Sequence, residues 1–236
     1  MFVGLRDQVE KDGFAIIRDV IEPALVTALV AALDNVRDNI GVRRRQEVYA
    51  IRHLLDIVPA VRTLAESRSI RALVEPVFGS SCLFVVGSLL FDKTAGTNWK
   101  VSWHQDCSIA VRSRIDVPGF GPWSIKAGVP HVHASVPILE KMLTVRVHLD
   151  DCNRPNGPLR VIPGSHLYGR LSSQAIFDWR QKGIEVPCLV PSGGVLLMKP
   201  LLLHASSAST TPNHRRVIQL EFAADLLPTG LEWYRH

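Results

Sequence analysis

Val101-Ser102-Trp103-His104-Gln105-Asp106 (VSWHQD) is the stretch on which the fold turns. It alternates apolar and polar residues, the pattern of a half-buried strand. Successive side chains of an extended strand point to opposite faces, so His104 and Asp106 project the same way. One imidazole and one carboxylate then stand two residues apart on one face. A second histidine, His204, follows about a hundred residues on. Brought in from a neighbouring strand, it completes a set of two imidazoles and one carboxylate. Such a set suits a non-haem Fe(II) centre that keeps open positions for substrate and oxygen.

The rest of the chain supports a β-rich setting for that triplet. Helical spacing dominates the first third. Pro23 suits a first helical turn, where its missing N–H costs nothing. Leu25, Leu29, Leu33, Val36 and Ile40 then recur at helical intervals, with Gly41 as a stop. A short strand is expected over Gly13 to Arg18. Two further helices are expected around Val58 to Ala65 and Ser69 to Phe78, the second closed by Gly79.

From Ser81 the texture changes. Cys82 to Phe91 is a strand-like apolar run, and Leu143 to Leu149 alternates. Asn156-Gly157 reads as a tight turn between strands, and Pro163-Gly164 as another turn. Gly194 to Met198, Leu201 to His204 and Arg215 to Ala223 complete a set of short strands. Helices followed by many short strands predict an α+β protein with a jelly-roll core, buttressed by N-terminal helices over about residues 1–80. The whole of 1–236 reads as one domain, with no repeat, low-complexity segment or flexible linker. Residues 107–141 hold four prolines and three glycines. They read as a long ordered lid anchored by Trp123, Val129, Val132 and Ile138, since long loops in compact domains are usually lids or binding loops.

Composition narrows the function classes. The 236 residues are 47% hydrophobic and 21% charged, as in ordinary globular proteins, with a net charge of +5. The basic residues are dispersed apart from Arg43, Arg44 and Arg45, which read as a solvated loop, so no nucleic-acid stripe is present. The four cysteines show no C-x-x-C spacing and are expected to be reduced, in a cytoplasmic setting. Residues 1–19 lack the apolar core of a signal peptide, and no apolar run is long enough to span a bilayer.

Three segments together resemble the phytanoyl-CoA dioxygenase family of Fe(II)/2-oxoglutarate-dependent oxygenases. They are WHQD (Trp103 to Asp106), NGPLRVIPGSH (Asn156 to His166) and HASSASTTPNHRR (His204 to Arg216). The resemblance runs from Phe14 to Ala223. It implies a double-stranded β-helix, a cupin-like jelly roll, with the metal at its mouth held by His104, Asp106 and His204. It also places a 2-oxoglutarate-binding arginine eleven residues beyond the distal histidine, at Arg215, with a hydroxyl at Ser206 and Gln105 near the co-substrate. Where some relatives carry an aromatic residue, this chain has Arg146. Three roles stand open for it: the co-substrate, an acidic substrate, or pairing with a carboxylate in the barrel.

The implied reaction uses Fe(II), 2-oxoglutarate and O2 to hydroxylate a C–H of a small organic molecule, with release of succinate and CO2. The chemistry accounts for the residue types. Three protein ligands leave three metal positions open, and an arginine fork binds a carboxylate bidentately. Strand parity favours Arg215 over Arg216, because Arg215 shares a face with Gln219 and Glu221 while Arg216 shares one with Ile218, Leu220 and Phe222. His131 and His133, in the lid, suit substrate contact or exposure rather than metal binding. Lid residues Arg112, Arg114 and Lys126 suit either a substrate anion or solvent. Two other classes compete: a cupin-like barrel that binds metal and ligand without redox turnover, and a Zn or Mn hydrolase or isomerase on the same scaffold. The binder has no need of Arg215 and Ser206, and the hydrolase lacks a dedicated acid/base.

Overall fold

The computed structural model describes residues 4–235. In chain order its elements are α1 (Leu5–Asp12), β1 (Phe14–Ile17), α2 (Pro23–Asp34), β2 (Val42–Arg44), β3 (Val48–Arg52), α3 (Leu54–Ile57), α4 (Pro59–Glu66) and α5 (Arg68–Phe78). There follow β4 (Phe84–Asp92), β5 (Val101–His104), β6 (Ser108–Ala110), β7 (Trp123–Lys126), β8 (Val129–His133), α6 (Val136–Glu140) and β9 (Met142–His148). The chain closes with β10 (Leu159–Val161), α7 (Ser173–Lys182), β11 (Val186–Pro187), β12 (Val195–Met198), β13 (His204–Ser206) and β14 (Arg216–Ala223).

Two antiparallel sheets make the jelly roll. The larger has seven strands in the order β1-β12-β9-β14-β4-β3-β2, and the smaller four in the order β11-β10-β13-β5. Alternation along β14 shows how sequence divides the layers. Ile218, Leu220 and Phe222 turn outward and pack with Leu143, Val145 and Val147 of β9 against the helices. Val217, Gln219 and Glu221 turn inward. Between the sheets, Phe14, Leu196 and Met198 meet Leu159, Val161 and Leu202 in a second apolar cluster. Each fully buried leucine there contributes about 1.5–3 kcal/mol. The α5 buttress is well delimited: Ser67 caps its N-terminus by accepting from the Ile70 N–H, and Gly79 ends it in the left-handed region (φ 67°).

Several local expectations are corrected. The α2 stripe is Val26, Leu29 and Leu33, and the helix ends at Asp34, where the Asn35 amide bonds back to the Ala31 carbonyl at 2.7 Å. Leu25 and Ile40 fall off that face and are 39% and 71% exposed. The arginine run is no loop: Arg43 and Arg44 lie on β2, which pairs with β3 and extends the large sheet. The N-terminal segment therefore gives the large sheet three strands besides its helices. Asn156-Gly157 joins no hairpin; residues 154–156 form a short 3-10 turn held by the Asn153 side chain, and Gly157 follows at φ 58°. Leu201 to His204 is a turn entering β13, which begins only at His204.

The lid carries its own secondary structure. Residues 107–141 contain a three-stranded sheet ordered β6-β8-β7 and the short α6. Val129 and Val132 are buried, and Trp123 and Ile138 pack against the cluster that includes Val132. The end of the chain returns over this sheet. Val111 bridges Trp233, Tyr234 N–H donates to the Ala110 carbonyl at 3.1 Å, and Trp233 is 2% exposed. No helix of the described residues is long and apolar enough to cross a membrane.

Candidate metal centre

β5 and β13 pair in the small sheet so that His104 stands opposite His204. Their rings lie 4.2 Å apart, centroid to centroid. β5 ends at His104, so Asp106 is not held by strand geometry. Its backbone N–H instead donates to the Pro200 carbonyl at 2.9 Å, on the turn leading to β13. That bond brings the carboxylate between the rings: Oδ1 is 3.6 Å from His104 Nε2 and Oδ2 is 3.7 Å from His204 Nε2. The three ligand atoms lie within 4.8 Å of one another.

Both imidazoles are oriented in the same manner. His104 Nδ1 lies 2.8 Å from the Ser102 carbonyl, and His204 Nδ1 lies 2.8 Å from the Leu202 carbonyl. A carbonyl only accepts, so Nδ1 carries a proton and Nε2 is the nitrogen turned toward Asp106. Fixing the remote nitrogen in this way is how metal-ligating histidines are held. Burial pushes the Asp106 pKa up, but His204, His104 and Arg146 outweigh it and hold the group down at about 2. Burial brings His204 down to about 4 in spite of Asp106. The centre thus offers one anion and a neutral buried imidazole, with a second imidazole at the rim. This donor set fits a divalent first-row ion and leaves part of its coordination sphere open.

Behind the triplet lies a group of buried cations that sequence reasoning found only in part. Arg146 projects inward from β9 and donates to Gln219 Oε1 on β14. Its hydrogen-bond partner is thus an amide, and the carboxylate of Asp106 acts on it through charge alone. Its guanidinium also lies 5.7 Å from the Phe91 ring centroid. Arg215 immediately precedes β14. Its backbone N–H donates to Asp92 at 3.0 Å, and its guanidinium donates to the Gly157 carbonyl. Arg216 faces the other way, with Nε 3.8 Å from both Asp92 and Asp150. Lys93, missed in the sequence, is 1% exposed and donates to Ser206 Oγ at 3.1 Å and to the Ser207 carbonyl. It follows the end of β4 by one residue, and no motif marked it.

These three cations are under-neutralised. Burial, then repulsion from Arg215, lowers Lys93 to about 7 and Arg146 to about 10. Burial also lowers Arg215. The Nε atoms of Arg146 and Arg215 and both ring nitrogens of His148 make no hydrogen bond among the described residues. Buried charge is ordinarily paired, so a cluster of this kind calls for an anion. Gln105 is not aimed at it. Its amide donates to the Gly169 and Leu201 carbonyls and accepts from Leu171 N–H, which ties the loop after β10 to the turn before β13.

A cavity of about 270 Å³ opens in front of His104 and Asp106. Gln219 and Glu221 form its floor from the large sheet, and Lys126, His131 and His133 come from the lid. His131 Nδ1 donates to the Val129 carbonyl at 3.0 Å, so Nε2 is an acceptor, and burial holds the ring neutral with a pKa of about 4. Of the three lid cations named from sequence, only Lys126 lines this cavity. Arg112 pairs with Glu232 and Arg114 with Asp116 at the surface. Glu221 is the wall residue that sequence reasoning noted only for parity. Burial, then the charge of Asp106, raises it to about 7.

The chain resembles known proteins over most of its length. The phytanoyl-CoA dioxygenase (PhyH) family profile matches residues 9–217. An ectoine dioxygenase of Bordetella bronchiseptica (strain RB50) is 25% identical over 176 residues, covering 68% of this chain and 49% of the relative. The chain spans about half the length of the curated relatives it matches. Among solved structures, EctD from S. alaskensis with 2-oxoglutarate and 5-hydroxyectoine superposes with a TM-score of 0.74 at 20% identity, over 95% of this chain and 76% of that one. The non-haem alpha-ketoglutarate-dependent carbocyclase SnoK from nogalamycin biosynthesis superposes with a TM-score of 0.70 at 18% identity, over 94% and 84%. At these identities the two structures establish a shared fold.

Proposed function

The chain belongs to the phytanoyl-CoA dioxygenase family, and we propose that it is an Fe(II)- and 2-oxoglutarate-dependent dioxygenase that hydroxylates an unactivated C–H of a small organic molecule. The observation that carries this reading is a pair of neighbouring features. Two oriented imidazoles and one carboxylate converge within 4.8 Å, and three buried cations stand behind them without enough acid to balance them. A metal-binding barrel with no redox turnover has no use for the second feature.

His104, Asp106 and His204 would hold the metal. Fe(II) with bound 2-oxoglutarate and O2 supplies the oxidising power, the keto acid leaving as succinate and CO2. Arg215, with Ser206 and Lys93 beside it, would take the distal carboxylate of 2-oxoglutarate, a charge-assisted contact of the strong class. Arg146 lies between that site and Asp106 in its charge interactions, so it steadies both the co-substrate and the carboxylate ligand. The lid residues His131 and His133 would cover the substrate and exclude water, which strengthens every polar contact within the cavity. Asp106 occupies the position a halide would need, and this favours hydroxylation over halogenation.

The test is succinate formation by the purified chain with Fe(II), ascorbate and 2-oxoglutarate. Slow release is expected even without substrate, and His104→Ala or Asp106→Ala should abolish it. Binding of Mn(II), read by its electron paramagnetic resonance signal, should be lost in the same variants. Wild-type protein that binds no divalent ion and releases no succinate would refute the reading. With a substrate in hand, the product should carry one added oxygen atom derived from O2.

A further inference from the structure

One wall of the cavity in front of His104 and Asp106 is not used by the proposed chemistry. Arg52 ends β3, in register with Leu89 of β4, which in turn pairs with Gln219 of β14. The three residues form one row across the inner face of the large sheet. This row carries the Arg52 side chain to the cavity wall beside Gln219. The guanidinium makes no hydrogen bond or ion pair with any described residue. Burial, then the charge of Arg43, lowers its pKa, with Glu221 opposing through its charge alone. A partly buried guanidinium has five N–H donors to satisfy, and protein supplies none of the acceptors here.

A second cation approaches from the lid. Lys126 closes β7, lines the same cavity, and donates one hydrogen bond to Ser108 Oγ at 2.9 Å. Two of its three N–H donors are left. Arg52 and Lys126 are close enough to repel each other electrostatically. Two like charges from separate elements thus converge on one space. The nearest acid of the wall, Glu221, accepts from Gln219 Nε2 at 3.1 Å and forms no ion pair with either cation. It sits against Gly87, where any Cβ would come within 2.1 Å of its Oε2. Glu221 thus lies against the sheet, acting on both cations through charge but hydrogen-bonded to neither.

Resting on the oxygenase reading for the chemistry, we infer that the substrate is a small molecule bearing an anionic acid group, carboxylate or phosphate, which Arg52 and Lys126 bind while the C–H to be oxidised faces the metal triad. The size of the site supports this. A cavity of about 270 Å³ lies just below the usual range of small-molecule sites, about 300–1,000 Å³. A coenzyme A thioester would leave nearly all of itself outside. Its wall mixes apolar Leu89 and Phe91 with the polar side chains of Arg52, Lys126, Gln219 and Glu221, which suits a compact molecule with one charged end.

The test is calorimetric titration of the 236-residue chain, loaded with Mn(II) and saturated with 2-oxoglutarate so that the inner cations are occupied. Benzoate and benzamide serve as probes of matched shape, with phenyl phosphate as the phosphate counterpart. At least one of the two anions should bind at least tenfold more tightly than benzamide. Arg52→Gln and Lys126→Gln should each remove most of that preference while leaving benzamide unaffected, and Arg52→Lys should keep part of it. The better of the two anions identifies the acid as carboxylate or phosphate. Melting curves check that each variant is folded; because the two cations come from different elements, Lys126→Gln decides the matter if Arg52→Gln does not fold. Benzoate, phenyl phosphate and benzamide binding alike, no anion binding at all, or anion affinity unchanged in folded variants would overturn the inference. Succinate release by Fe(II)-loaded wild type is scored separately. Its absence counts against the oxygenase reading and leaves the anion result standing; absence of anion preference in the wild type with succinate release intact counts only against the anion site.

Discussion

Arg146→Met should make the ligand-free protein more stable and the co-substrate site worse. Arg146 is buried on all sides, and its pKa falls from 12.5 to about 10 through burial and then the charge of Arg215. At 1.36 kcal/mol per unit, that is roughly 3 kcal/mol against the charged form. The penalty applies in full at any pH well below 10, since the unfolded arginine is protonated there too. Methionine fills a similar space without charge. It also removes the charge-assisted bond to Gln219, about 1.5 kcal/mol, while Gln219 keeps its bond to Glu221. The net gain is about 1–2 kcal/mol, which for a chain of this size raises Tm by a few degrees. Addition of 2-oxoglutarate should reverse the advantage. At a concentration one hundred times Kd, ligand stabilises wild type by about 2.7 kcal/mol; a tenfold weaker variant gains only about 1.4 kcal/mol from the same solution. Melting curves with Mn(II), with and without 2-oxoglutarate, give both numbers. A variant that melts several degrees lower without ligand, yet gains as much from 2-oxoglutarate as wild type, would show that Arg146 is a structural support and that the inner cations are not built for the keto acid.

Three further outcomes follow from the same geometry. Arg215→Ala should weaken 2-oxoglutarate binding by about 2–3 kcal/mol, whereas Arg216→Ala, which loses contacts near Asp92 and Asp150, should lower Tm and leave 2-oxoglutarate affinity alone; the reverse pattern in a titration would refute the face assignment. Glu221→Gln should grow more stabilising from pH 5 to pH 8, because a carboxyl raised to about 7 in the folded state stabilises fully below the unfolded value near 4.3 and loses that contribution as pH rises through 7; equal Tm differences at both pH values would count against a buried, proton-holding Glu221. Gly87→Ala places a methyl group 2.1 Å from Glu221 Oε2 and should cost about 1–3 kcal/mol as an overpacked site, a cost that Glu221→Ala in the same chain should largely relieve, as a double-mutant cycle would measure.

Period and parity carried most of the fold. The two-residue alternation of β9 and β14 and the apolar periodicity of α4 and α5 are local signals, and the elements lie where those signals place them. What was not legible depends on long-range pairing. β2 is Val-Arg-Arg, with two of its three side chains exposed, so nothing in its composition marks a strand; it exists because β3 offers it an edge. The lid reads as a loop because its glycines and prolines dominate the pattern, yet Val129 to His133 gains strand form from pairing on both sides with β6 and β7. The turn at Asn156-Gly157 likewise gave the right punctuation and the wrong topology. A tight-turn signal cannot say whether the flanking strands pair with each other, and here β9 goes to the large sheet and β10 to the small one.

The site shows the same division, with a physical reason at each residue. His104, Asp106, His204 and Arg215 stand in motifs that single them out in the sequence, and the first three converge in the fold. Arg146 could be noticed but not interpreted, because its meaning lies in what surrounds it: an amide partner, an aromatic face and a second guanidinium, none of them near it in sequence. Lys93 and Arg52 are ordinary surface residue types until β4 and β3 bury them. A lone lysine in sequence is a solvated charge in nearly every case, and only burial next to Arg215 turns Lys93 into a statement about anions. The same reasoning orders the cations of this protein by depth. Lys93, Arg146 and Arg215 lie behind the proposed metal ligands, where a dianionic keto acid would balance them, while Arg52 and Lys126 lie in front, where an anion entering from solvent would supply the hydrogen-bond acceptors they lack. Two separate groups of cations, divided by the carboxylate of Asp106, are what the proposed enzyme needs if it must hold two acids at once and keep each on its own side of the metal.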